Sequence, residues 1–347
     1  MKADEFFKSI KEGQILPCYL FEGEEEYLKE SALLQIRSKV IVPPFGDMNE
    51  TVLTNPSSEE LIAVCETLPM MADKRLVIVK DSALLAGSSK DSPKAGKKSD
   101  SDGDKVCAYI KNLPSTTCLV FFTRGKANGV RKLYKEINKL GGLVNFESLT
   151  NDGLVKWIAR ELKLQGKQIA RSTADQLIFA VGRDLITLKN ELAKVAAYAG
   201  DSEVVEESDI RAVVTPSTEY KVFDLADNVV EGNAAKAISL MNNLLREGEQ
   251  RLMLLALLQR QYRQLLFVAI LSKNGVQSGT IAQQLAVPPF VVKKMQGMVR
   301  RFSSKYLKEC YDYCVDTEFL IKSGQLAEEG ALEQVVFYLL GGEKKRD

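Results

Sequence analysis

Four short apolar runs, at residues 16–21, 75–79, 119–123 and 143–146, are separated by stretches of helical periodicity, and no comparable run follows residue 149. Buried runs of this length, spaced by helices, predict a mostly parallel sheet with helices on both faces. Helical patterns at 3–12, 25–38 and 57–68 supply covering helices. A sheet of this size uses less than half of 347 residues, so more than one core is required. The sequence predicts an α/β domain over 1–148, a three-helix unit over 149–214 and a larger all-α domain over 215–347. Helices in the last are expected at about 220–231, 233–246, 249–273, 278–286, 288–300, 303–322 and 328–340. The stretch "AGSSKDSPKAGKKSDSDGDK", about 86–105, has almost no large apolar residue and reads as a mobile surface insertion.

The charge balance, 47 Lys and Arg against 46 Asp and Glu, argues against a general polyanion binder. Histidine is absent, which removes imidazole acid–base chemistry and histidine-based triads. The chain is therefore expected not to be catalytic itself. Six scattered cysteines form no CxxC pair and read as small core residues. The polar start, Met1-Lys2-Ala3-Asp4-Glu5, does not resemble a signal peptide, and Gln259, Arg260, Gln261, Arg263 and Gln264 interrupt the apolar 252–271 segment. A cytoplasmic protein with no membrane partner is expected.

The stretch "LFEGEEEYLKES" at 20–31 passes from a predicted strand through a glycine into a predicted helix. Many nucleotide-binding proteins hold phosphate at such a junction. A phosphate loop needs G-x-x-x-x-G-K-[ST], but after Gly23 come Glu24, Glu25 and Glu26, without the second glycine or the Lys-Ser pair. Carboxylates are favoured at the positive end of a helix, so the chain's own charge occupies the place of a phosphate. Gly23 to Glu26 read as a degenerate phosphate loop with no nucleotide, and neither cofactor nor metal is expected.

A second stretch breaks its own pattern. Leu61, Val64, Cys65 and Leu68 form an apolar helix face that Pro69 terminates. Met70 and Met71 follow, next to charged residues and before the strand at 75–79. Adjacent methionines at such a corner either protrude as a contact surface or fill the core beneath the sheet.

Seven segments occur in order: "YLFEGEEEYLKESAL", "LPMMADKRLVIVKD", "LVFFTRGKANGVRKLYK", "GRDLITLKNELAKVAAYAG", "VFDLADNVVEGNAAKAISLMNNLLREGE", "LLALLQRQYRQLL" and "IAQQLAVPPFVVKKM". Together they resemble the delta subunit of the bacterial DNA polymerase III clamp loader over nearly the whole chain, apart from 86–105. The resemblance implies an AAA+-like α/β domain without ATP binding, a helical lid and an all-α collar. It implies a subunit that binds the ring-shaped sliding clamp, the beta subunit, and opens it for loading onto primed DNA. Its other partners would be the gamma or tau and delta-prime subunits, met through the collar. By the same resemblance Met70 and Met71 form a clamp-binding wedge, with Leu68 and Pro69 shaping its base. Arg183 departs from the pattern, which carries asparagine more often there. Two rival readings remain. "SGTIAQQLAVPPFVVKKMQGMVRRF" has the outline of a helix-turn-helix regulator, and a diverged active ATPase would use Lys29.

Overall fold

The computed structural model describes residues 1–41, 43, 46–86 and 98–341, with the side chains of 98–101 left aside. The chain divides into two compact units, Met1–Thr150 and Asn151–Asp347.

The first unit runs α1 (Ala3–Lys11), β1 (Cys18–Glu22), α2 (Glu26–Val40), a short helical turn (Gly46–Asn49), β2 (Glu50–Thr54), α3 (Ser58–Glu66), β3 (Arg75–Lys80), α4 (Lys98–Ile110), β4 (Thr117–Phe122), α5 (Lys132–Lys139) and β5 (Leu143–Asn145). The strands form one sheet in the order β2-β3-β4-β1-β5, with every neighbouring pair parallel. Every residue of β1 and β4 is buried, because helices cover both faces and continuous apolar runs are then needed. Alternation along β1 sends Leu20 into a core with Val77, Val79, Phe121, Leu61 and Ile137. Tyr19 and Phe21 point the other way, to Phe6 of α1, with ring centroids 5.5 and 5.2 Å apart.

Three elements here were not expected. β2 is an edge strand whose residues are only half-buried or exposed, so it lacks an apolar run. α5 buries only Leu133 and Ile137. α4 corrects the expectation of a loop over 86–105: residues 98–105 are helical, and residues 87–97 lie outside the described residues. Val106, Cys107 and Ile110 anchor the last turns of α4 in the core. Its polar start is held by Asp102 accepting from Ser58 at 2.9 Å and by Lys105 pairing with Glu59 at 2.5 Å.

The second unit runs α6 (Asn151–Leu164), β6 (Gln168–Ile169), α7 (Arg171–Val181), α8 (Leu185–Tyr198), β7 (Val204–Val205) and α9 (Glu207–Val213). It continues with α10 (Thr218–Glu231), α11 (Ala234–Arg246), α12 (Arg251–Lys273), α13 (Ser278–Leu285), α14 (Pro289–Val299), α15 (Ser304–Lys322) and α16 (Ala331–Gly341). Two expectations are corrected. Strands do not stop at 149, since β6 and β7 form a two-residue parallel pair. The unit expected to hold three helices has a fourth, α9, whose start is fastened by Asp209 accepting from the Glu206 amide at 2.9 Å. The helices of α10 to α16 fall close to their expected places. α12 is central, burying Leu254, Leu258, Tyr262, Leu265 and Val268. No described helix is long and apolar enough to cross a membrane.

Candidate functional site

The loop joining α3 to β3 carries Leu68, Pro69, Met70 and Met71 together. α3 ends at Glu66, as Pro69 requires for the residues before it. Leu61 and Cys65 are buried, but Leu68 is not part of that face: it is 77% exposed, Met70 49% and Met71 82%. Contiguous exposed apolar side chains of this kind mark interaction surfaces on folded proteins.

The loop is held in place although its tips are bare. Asn49, almost fully buried, donates through Nδ2 to the Met70 carbonyl at 2.9 Å and accepts from the Met70 amide through Oδ1 at 2.6 Å. Its amide thus pairs with the backbone as a neighbouring strand would. Arg75, also buried, donates through Nη1 to the Thr67 carbonyl and through Nη2 to the Thr51 hydroxyl, each at 2.9 Å. Met71 has φ +48°, a left-handed conformation that costs an L-residue about 1–2 kcal/mol. A pinned loop therefore carries a strained methionine with its side chain in water. Asn49 and Arg75 were missed in the sequence, where one is a lone polar residue and the other the first residue of a strand.

Gly23 to Glu26 sit at the other end of the sheet, after β1, where parallel sheets bind their ligands. Gly23 has φ +112°, and a Cβ there would lie 2.2 Å from the Phe146 carbonyl oxygen. Its amide donates to the Gly125 carbonyl at 2.8 Å, that of Glu25 to Phe146 at 3.0 Å and that of Glu26 to Glu24 at 3.1 Å. Three of the amides that would cradle a phosphate are thus committed to the chain's own carbonyls. Lys29 is completely buried. Its Nζ donates to Glu26 at 2.6 Å and to the Thr123 carbonyl at 2.8 Å, and lies 5.2 Å from the Phe122 ring centroid. Behind the turn, buried Glu22 accepts from the Tyr134 hydroxyl at 3.0 Å and the Ala127 amide at 2.9 Å. Burial, then the Glu22 carboxylate, push the Tyr134 hydroxyl up, which keeps it a donor.

The helix-turn-helix of the rival reading is α13 and α14, but α14 buries Val291, Val292, Met295, Met298 and Val299. Lys294 pairs with Asp227 at 2.8 Å and lies 4.8 Å from the Phe223 centroid. A recognition helix needs its polar side free for base edges.

Residues 19–147 match the family model described as "DNA polymerase III, delta subunit", and residues 219–339 match "DNA polymerase III delta subunit, C-terminal domain". The chain belongs to the DNA polymerase III delta-subunit family. A Bacillus subtilis (strain 168) relative named DNA polymerase III subunit delta is 26% identical, with 98% of each chain covered. A probable DNA polymerase III subunit delta of Aquifex aeolicus (strain VF5) is 20% identical over 84% of this chain and 81% of the relative. The solved structure of the Bacillus subtilis DNA clamp loader delta protein superposes with a TM-score of 0.62 at 25% identity, covering 98% of this chain and all of that one. The delta fold accordingly accounts for both units here, an α/β domain followed by helices.

Proposed function

We propose that this delta-family chain grips the sliding clamp through the α3–β3 loop and holds its ring open for loading onto primed DNA. The observation that carries the reading is the pinned loop with Leu68, Met70 and Met71 bare at its tip. Pro69 and Leu68 form the base of the wedge, and the two methionines enter an apolar pocket on the clamp. Methionine adapts its shape to such a pocket. Burial contributes about 1.5–3 kcal/mol for a side chain that starts fully exposed. Met70 begins half-covered, so Met71 supplies the larger share.

Ring opening follows from differential affinity: a wedge that binds the open ring more tightly shifts the population toward it, whereas equal affinity for both states shifts nothing. The chain does this without a nucleotide of its own, because the amides around Gly23 and the Lys29 amine are already engaged. ATP-driven control then belongs to neighbouring loader subunits. Residues 149–214 form a lid and 215–347 a collar that packs against the gamma or tau and delta-prime subunits in the cytoplasm.

The test is a clamp pull-down with the Met70→Asp/Met71→Asp double variant. A folded double variant that captures the clamp from its own organism as well as the parent does would end the assignment.

A further inference from the structure

A further methionine stands bare at the corner of the first unit that carries the wedge. Met48 is 62% exposed in the turn Gly46–Asn49, within the polar run Asp47-Met48-Asn49-Glu50. Its chain neighbour Asn49 is buried and pairs in both directions with the Met70 backbone. That pairing sets Met48 beside the α3–β3 loop, although 21 positions separate Asn49 from Met70. On the other side of Asn49, Glu50 is paired with Arg37 of α2. The turn is thus fastened to the loop and to a helix, and the large apolar side chain on it is left mostly in water. Burying that side chain would be favourable, and the fold covers little of it.

The two flanks of the loop differ in character. The loop opens into β3, and the sheet places β2 on one side of β3, with β4 and then β1 on the other. Met48 precedes β2. On the β1 side, Met71 borders a cleft that is also lined by Gly13, Lys39, Asp73 and Lys74. One flank is therefore apolar and the other charged. Stable interfaces bury about 800 Å² on each partner, more than Leu68, Met70 and Met71 supply. They place apolar side chains, methionine among them, at the centre and polar groups at the rim. The centre of a surface built on this loop lies toward Met48, and the lysine-bearing cleft is its rim.

We infer that Met48 is a third apolar contact with the sliding clamp, seated on the same apolar surface of the ring as Met70 and Met71. The inference rests on the α3–β3 loop being the element that grips the clamp. Asn49 then has a second task besides holding the loop. Its one side chain joins the backbones that carry Met48 and Met70, so the two apolar contacts keep a fixed spacing. A partner is selected by whether its own apolar surface matches that spacing, and little ordering of the chain is left to offset when it binds.

The experiment titrates labelled clamp from the same organism with the full chain, comparing the parent, Met48→Asp, Met48→Leu and the Met70→Asp/Met71→Asp double variant. Urea melts and amide exchange over 67–74 are measured for each. Met48→Asp is expected to weaken clamp binding roughly tenfold or more, as removal of one apolar contact does, with a parental melt and parental exchange over 67–74. Met48→Leu, still apolar and of similar size, is expected to bind as the parent does. Parental affinity in Met48→Asp, beside a weakened double variant, overturns this inference and leaves the wedge standing. Parental affinity in the folded double variant overturns the wedge and this inference with it. Weaker binding by Met48→Asp together with quicker exchange over 67–74 also counts against a direct contact, because the substitution then acts by loosening the Asn49 anchor.

Discussion

Met71→Gly should make the protein no less stable while making it a worse clamp binder. The side chain is 82% exposed, so its removal takes little buried surface from the fold. The backbone there has φ +48°. Glycine relieves about 1–2 kcal/mol of left-handed strain and returns about 0.5–1 kcal/mol as extra freedom of the unfolded chain. The net is between about zero and 1.5 kcal/mol in favour of the folded state. On the clamp, the loss is a methionine buried on binding, about 1.5–3 kcal/mol, or roughly 10- to 150-fold in Kd. Urea melts give the first quantity, and titration of labelled clamp followed by anisotropy gives the second. A methionine in the core would behave in the opposite way, losing about 2–5 kcal/mol of stability on truncation. A melt showing such a loss, or an unchanged melt with parental clamp affinity, would refute the reasoning.

Asn49→Ala removes both hydrogen bonds to Met70, at about 0.5–1.5 kcal/mol each. Clamp binding should weaken although no wedge side chain is altered, and amide exchange over 67–74 should quicken. The six free cysteines are all buried, and burial pushes each thiol up, Cys310 to about 11 and Cys65 to about 12. A thiol reagent at pH 8 should label none of them in the native chain and all of them in denaturant. Glu59 is held at about 2 by its hydrogen bond to Lys105. Its folded value lies below the ordinary 4.5, so its contribution is present above that pH and fades as pH falls toward 2. Amide protection at the start of α4 should decline over that window, and the decline should be absent in Lys105→Met.

The strands read most directly from the sequence, β1, β3 and β4, are apolar runs because helices cover both sides of them. β5, at the other edge, was legible because Val144 in it and Phe146 just after it are buried. β2 was hidden because an edge strand needs no such run, and Val52 is half-exposed there. α4 was hidden because its first half is Lys, Ser, Asp and Gly and its stability comes from ion pairs and one apolar turn. The methionines of the loop were legible because they broke a periodic pattern. Asn49 was not, because its role is a contact across 21 positions that no local spacing encodes. Lys29 looked like an ordinary helix lysine after Glu26. Its complete burial against Thr123, 94 residues away, is set by how β4 lies beside β1.

The anchoring of the α3–β3 loop also has a mechanical meaning. Asn49 leads into β2 and Arg75 opens β3, so a pull on Met70 or Met71 is shared by two adjacent strands. β3 is in turn stitched to β4 through six consecutive pairs, from Arg75 with Thr117 to Lys80 with Phe122. Load along these strands shears many bonds at once instead of peeling them singly. On the proposed grip, the tool head is thus stiffly hafted.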